Sequence, residues 1–212
     1  VLSHPQEDHI GGALTVLEEF KIRNVFDGGS SYGTETFNLL QKKIRKKGAP
    51  TFHVYRGTQI KGYRNVQMRV LNPPEREFQD KKINNESVVL KMNYQEMSFL
   101  LSGDIEKNAM ADMMADRQDV RADVLKVPHH GSRLGANGER FVRAVNPKIS
   151  VISVGERNPF HHPSEETLRI LSSIPGNRVF RTDRDQAVEI VSDGKTATVI
   201  LSPPKADEGP HL

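Results

Sequence analysis

The alternation of apolar and polar positions divides the chain into short segments of two periods. Ile10, Leu14 and Leu17 recur at helical spacing behind a His-rich loop and Gly11-Gly12, and Val1-Leu2-Ser3 ahead of that loop reads as the tail of a strand. A short strand at Arg23 to Phe26 and a Gly-rich turn at Gly28 to Gly33 follow. Thr34 then caps a second helix, whose Phe37, Leu40 and Ile44 share a face and which ends at Gly48. Thr51 to Tyr55, Val66 to Leu71, Ser87 to Met92 and Ser98 to Leu101 alternate or run apolar as strands do, so the middle of the chain is β-rich. A helix from Ile105 to about Arg117 puts Met110, Met113 and Met114 where they pack on a sheet. Strands and helices then alternate over Asp123 to Val127, Glu139 to Val145, Ile149 to Val154, Glu165 to Leu171, Val179 to Arg181, Val188 to Val191 and Thr196 to Leu201. Pro203 to Leu212 is Pro-rich and charged and is expected to be a disordered tail. With no linker dividing it, the pattern predicts one α/β domain over residues 1–202, a layered sandwich of sheets covered by outer helices.

Composition narrows the chemistry. At 36% hydrophobic and 27% charged the chain is that of a globular domain, and runs such as Ile149 to Val154 fall far short of the roughly 20 apolar residues of a membrane span. It has no cysteine, which excludes disulfides, thiolate zinc sites and Cys nucleophiles, so any metal must sit on His and carboxylates. The net charge of +3 permits a polyanionic partner without demanding one. Lys42, Lys43, Arg45, Lys46 and Lys47 crowd the end of the second helix, as either a solvated end favoured by the helix dipole or a nucleic-acid contact.

Six of the eight histidines lie in three short loops, each behind a strand-like run: His4 and His9, His129 and His130, and His161 and His162. Loops at strand ends bring distant side chains together, and imidazoles gathered with carboxylates such as Asp8 and Asp104 are what divalent cations select where no thiolate is available. The lesser alternative for Asp8 is a helix N-cap ahead of Ile10. Gly131 and Ser132, and likewise Asn85 and Ser87, read either as phosphate contacts or as plain turns, and Lys126, among apolar strand neighbours, reads as solvent-facing.

The run Ser3-His4-Pro5-Gln6-Glu7-Asp8-His9-Ile10-Gly11-Gly12 resembles the signature loop of the metallo-β-lactamase-fold hydrolases. Asn84 to Leu90, Phe99 to Glu106, Ala122 to Ser132, Asn158 to Pro163 and Arg181 to Asp183 resemble, in order, the metallo-β-lactamase domain of the ComEC/Rec2 DNA-uptake proteins and their free-standing relatives. The resemblance implies a four-layer αβ/βα sandwich with a site for two divalent ions, zinc or alternatively manganese. In it His4 would serve one ion, Asp8 and His9 the other, Asp104 would bridge them and His129 would be a further ligand. Asp8 and His162 would act in catalysis, and His130, Ser132 and Asn85 would contact substrate. Gln6 stands where most relatives carry a second His, and His161 where a Gly is expected, which leaves open whether His161 or His162 faces the site.

The implied activity is metal-dependent phosphodiester hydrolysis of DNA. The alternatives are hydrolysis of a small ester, thioester or lactam, or a metal-poor module that binds nucleic acid or a partner. For this chain the resemblance implies the outer face of the membrane if it is part of a ComEC-like parent, and the cytoplasm otherwise. In the family several strands precede the His loop, whereas only Val1-Leu2-Ser3 do so here, so the domain is expected to lack its N-terminal strands.

Overall fold

The first half of the chain builds one helical layer on a small sheet. Helix α1 (Glu7–Glu19) is followed by β1 (Val25–Asp27), helix α2 (Glu35–Lys47) and β2 (Thr51–His53), which pairs parallel to β1. Ile10 and Leu17 of α1 and Leu40 and Ile44 of α2 close over Val25 and Ala49. The capping residues act as their types predict: Thr34 Oγ1 accepts from the Phe37 N–H, and Gly48 takes the left-handed conformation that closes the helix. Thr36 donates to Glu7, and Lys43 pairs with Glu18, so the two helices run side by side with both N-termini at one end.

The second half is built on a larger mixed sheet. Its described strands are β3 (Gln59–Tyr63), β4 (Val66–Asn72), β5 (Val89–Tyr94), β6 (Met97–Leu101), β7 (Val124–Lys126), β8 (Ile149–Ile152) and β9 (Arg178–Arg181), adjacent in that order. Neighbours are antiparallel from β3 to β6 and parallel from β6 to β9. The parallel crossovers run through α3 (Lys107–Ala115), α4 (Gly135–Val145) and α5 (Glu165–Ser172), whose Met110, Met113, Phe141, Val142 and Leu171 bury against Leu100, Leu125 and Ile152. On the opposite face Phe26 of β1 packs with Val70, Val88 and Leu90. Beside it the hairpin of β10 (Val188–Ser192) and β11 (Ala197–Leu201) covers Met97, Val124 and Ile149. The order through the molecule is helices, large sheet, small sheets, helices: the expected four layers.

This computed structural model describes residues 1–63, 65–76 and 82–202, so the tail expected at 203–212 lies outside the described residues. Strand β3 has no counterpart in the apolar pattern, because it is an edge strand that buries little beyond Ile60. Residues 1–3 tie the halves together: Leu2 N–H donates to Phe26 O, and Val88 N–H donates to Ser3 O. That seam delivers His4 to the edge where β6, β7 and β8 end.

Candidate metal centre

Each contributing segment is held at that edge by its own local chemistry. Asp8 and His9 stand in the first turn of α1, where Gln6 rather than Asp8 is the N-cap and the helix dipole favours a carboxylate. Asp104 follows β6 through Ser102-Gly103. Gly103 has φ 54°, and a Cβ there would lie 2.7 Å from Ser87 Cβ and 3.2 Å from Ser3 Cβ, so only glycine lets the three segments meet. After β7, His129, His130 and Gly131 are consecutively left-handed (φ 47°, 52° and 79°), a conformation that costs a non-glycine residue of order 1–3 kcal/mol. This turn sends the two imidazoles in different directions.

Asp8, His9, Asp104 and His130 bring one ligand atom each to within 4.8 Å of one another. His9 Nε2 lies 3.2 Å from Asp104 Oδ2, 3.5 Å from Asp8 Oδ2 and 3.3 Å from His130 Nε2. His130 Nε2 lies 3.1 Å from both carboxylates. Its Nδ1–H donates to Ser153 O at 2.7 Å just past β8, which fixes the tautomer and leaves the Nε2 lone pair facing the group. Asp104 is buried while Asp8 is exposed, so the group opens to solvent past Asp8. Two imidazole nitrogens and two carboxylate oxygens converging on one point form a donor set that fits zinc or manganese.

The electrostatics of the metal-free protein follow from burial and these contacts. Burial, and then the neighbouring His9, push His4 down to about 4. With Nδ1–H held by Ser153 O, a protonated His130 donates its second proton, on Nε2, to Asp104, and that bond raises it. Burial alone would lift Asp104, but contact with the His130 and His9 rings and the Lys126 charge hold it well below the usual carboxylate range. His129 and His162 are lowered by burial. A histidine whose folded pKa lies below its ordinary 6.5 opposes folding as it protonates, so His4 costs stability as pH falls from about 6.5 to about 4, reaching about 3 kcal/mol. His129 and His162 act in the same sense. His130 acts oppositely, its contribution fading only above its raised pKa. Melting of the metal-free protein should therefore shift downward by roughly 5–10 °C between pH 7 and pH 4.5, and His4→Gln should flatten the slope. A wild-type melting temperature constant over that range would contradict the neutral, buried state of His4.

The sequence expectations are redistributed by this geometry. Asp8, His9 and Asp104 meet as expected, but His130, assigned to substrate, joins them in place of His129. The His129 ring lies beside that group, with Nδ1 3.8 Å from Glu106 Oε1 and its centroid 5.8 Å from that of His162. His162 is half-buried beside it and His161 is exposed, which decides between the two. Asn85 cannot touch a substrate. It is fully buried, with Oδ1 accepting from the Glu106 and Ala109 N–H groups at the start of α3. The Ser132 N–H donates to His129 O and closes the turn rather than facing a phosphate. Lys126 is not solvent-facing: Nζ donates to Gly103 O at 2.9 Å and to Val127 O at 3.3 Å, and lies 3.4 Å from Asp104 Oδ1. The missed signal was its place in a parallel strand, where apolar neighbours are buried on both faces and a cation needs a partner.

Four layers with a His and Asp group at the edge of the sheets define the metallo-β-lactamase fold. The same architecture is found in a Parabacteroides distasonis protein described as a metal-dependent hydrolase (TM-score 0.52, 12% identity, 86% of this chain and 74% of that one). It is also found in the CmlA β-hydroxylase E377D mutant (TM-score 0.54, 12% identity, 85% and 42%). More particularly, the chain is homologous to a segment of the ComEC/Rec2 proteins. It is 32% identical over 204 residues to ComE operon protein 3 of Bacillus subtilis, covering 96% of the chain and 26% of that protein. It is 27% identical over 164 residues to Recombination protein 2 of Haemophilus influenzae, covering 77% and 18%. The chain thus spans about a quarter or less of the length of these relatives. No family model matches it. No helix among the described residues is long and apolar enough to cross a membrane.

Proposed function

We propose that this domain is a metal-dependent phosphodiesterase that cuts DNA. The observation that carries the proposal is the convergence of Asp8, His9, Asp104 and His130 at a solvent-open sheet edge, in a chain homologous over nearly its whole length to a competence protein. A divalent ion held there supplies Lewis acidity, which lowers the pKa of water from about 15.7 towards about 7 and draws charge from phosphoryl oxygens. The chain's own groups do the rest. Asp8, the exposed carboxylate of the set, accepts the proton of the attacking water. His162 stands on the rim beside His129 and contacts the phosphate or the leaving oxygen. Phe160, exposed and stacked on His162 at 5.9 Å, offers an aromatic face to a base.

The basic cluster of α2 has a lesser part. Both helix N-termini lie at the metal end, so thirteen residues rising about 1.5 Å each put Lys47 about 20 Å away, within reach of a DNA backbone but not of the reacting bond. Lys43 is also paired with Glu18.

Purified protein with added manganese or zinc should cleave labelled single- or double-stranded DNA, and a chelator should abolish the reaction. Neutralising Lys42, Arg45 and Lys46 should reduce the salt slope of DNA binding and leave the metal content unchanged. Metal-loaded protein that leaves a panel of DNA and RNA substrates intact while hydrolysing a small ester would overturn the phosphodiesterase assignment.

A further inference from the structure

Around the four converging donors, the neighbouring polar groups among the described residues are engaged with one another and with the ligands. His4 Nε2 is 2.8 Å from Gln6 Oε1; an amide oxygen only accepts, so that nitrogen carries the proton. His4 Nδ1 is then an acceptor and takes the Ser3 hydroxyl proton at 3.2 Å. Ser3 Oγ, with its proton spent, accepts from His9 Nδ1–H, also at 3.2 Å. The relay from Gln6 through His4 and Ser3 therefore leaves the His9 lone pair on Nε2, facing Asp104 Oδ2 and His130. On the other side, the Lys126 ammonium, anchored by two backbone carbonyls, lies against Asp104 Oδ1. A carboxylate that bridges two cations through both of its oxygens would need that oxygen for the second. Asn85 and Ser87, the nearest polar residues on the adjoining segment, are spent on backbone N–H groups of 104, 106 and 109.

We propose that this centre holds one divalent ion, on Asp8, His9, Asp104 Oδ2 and His130, and that Lys126 supplies the positive charge that a second ion gives a dinuclear site. His4, Gln6 and Ser3 are then positioning residues that set the His9 tautomer. This rests on the metal-dependent reading of the site, not on the identity of the substrate.

The test is a count of ions. Chelator-stripped wild-type protein titrated with Mn²⁺, and separately with Zn²⁺, should bind one ion per chain by calorimetry and by elemental analysis after dialysis. Two ions of comparable affinity overturn the proposal, and no binding overturns the metal reading with it. Ser3→Ala removes a group that ligates in neither arrangement; it should keep the count at one and weaken affinity roughly 10- to 100-fold, as loss of a ligand-orienting partner does. Unchanged affinity in Ser3→Ala removes the relay. Lys126→Gln combined with Gln6→His frees Asp104 Oδ1 and adds an imidazole beside His4, and should raise the count to two. A count of one in that variant, with a cooperative melt showing it folded, removes Lys126 and Gln6 as the blocking groups. One ion per chain in a protein that cuts no DNA leaves this proposal standing and withdraws the nuclease assignment.

Discussion

His130→Ala is expected to lose metal binding and hydrolysis together, by more than about 100-fold in each, while the adjacent His129→Ala keeps its ion. Loss of a group that merely orients a ligand typically costs 10- to 100-fold, and His130 Nε2 is itself one of the four converging donors, 3.1 Å from both Asp8 and Asp104. His129 sits one residue away but faces Glu106 and His162, so its removal should lower the rate through the rim without emptying the centre. Neither substitution touches the packed core, and both variants should keep the wild-type circular dichroism spectrum. The comparison is internally controlled: an ion lost from His129→Ala and retained by His130→Ala would reverse the assignment of the turn.

Gly103→Ala should cost both stability and metal. The added Cβ must occupy space 2.7 Å from Ser87 Cβ, and alanine must also hold φ 54°. Left-handed backbone costs about 1–2 kcal/mol and overpacking typically another 1–3, so a loss of about 2–5 kcal/mol is expected, or roughly 4–20 °C in melting temperature. Asp104 is the next residue, with its N–H bound to Ser87 Oγ at 3.1 Å, so the strain falls on the carboxylate the ion needs. Affinity should therefore drop even at temperatures where the variant is fully folded. A variant with wild-type melting temperature and affinity would mean the Ser3, Ser87 and Gly103 junction yields freely.

Much of the architecture was legible because local physics decided it. Helix α2 has an N-cap threonine, one apolar stripe and a C-terminal glycine, and it forms within those bounds. The parallel strands β7 and β8 are mainly apolar, interrupted by Lys126 and Ser150, and the Met-rich helix α3 packs its methionines into the core as its pattern suggested. Strand β3 escaped notice because an edge strand buries too little to leave a period.

At the site, the sequence by itself determined the inventory: His pairs and carboxylates placed in loops behind strands, with no thiolate to compete. It could not say which member of a pair points inward. That was decided by three left-handed residues in a row after β7, which turn His130 onto Asp104 and His129 toward Glu106 and His162, and such a backbone is held only by contacts from elsewhere. Gly131 fits because a Cβ there would lie 2.6 Å from Pro163 Cβ, and His129 N–H reaches Gly103 O across the sheet edge. Lys126 took its role the same way: parallel pairing of β7 with β6, which sets Lys126 opposite Leu101, brings its ammonium to the turn that carries Asp104. Residue type and spacing fix what chemistry is available, whereas the direction of each side chain depends on φ, strand register and the neighbour across the gap, which only the folded chain brings together.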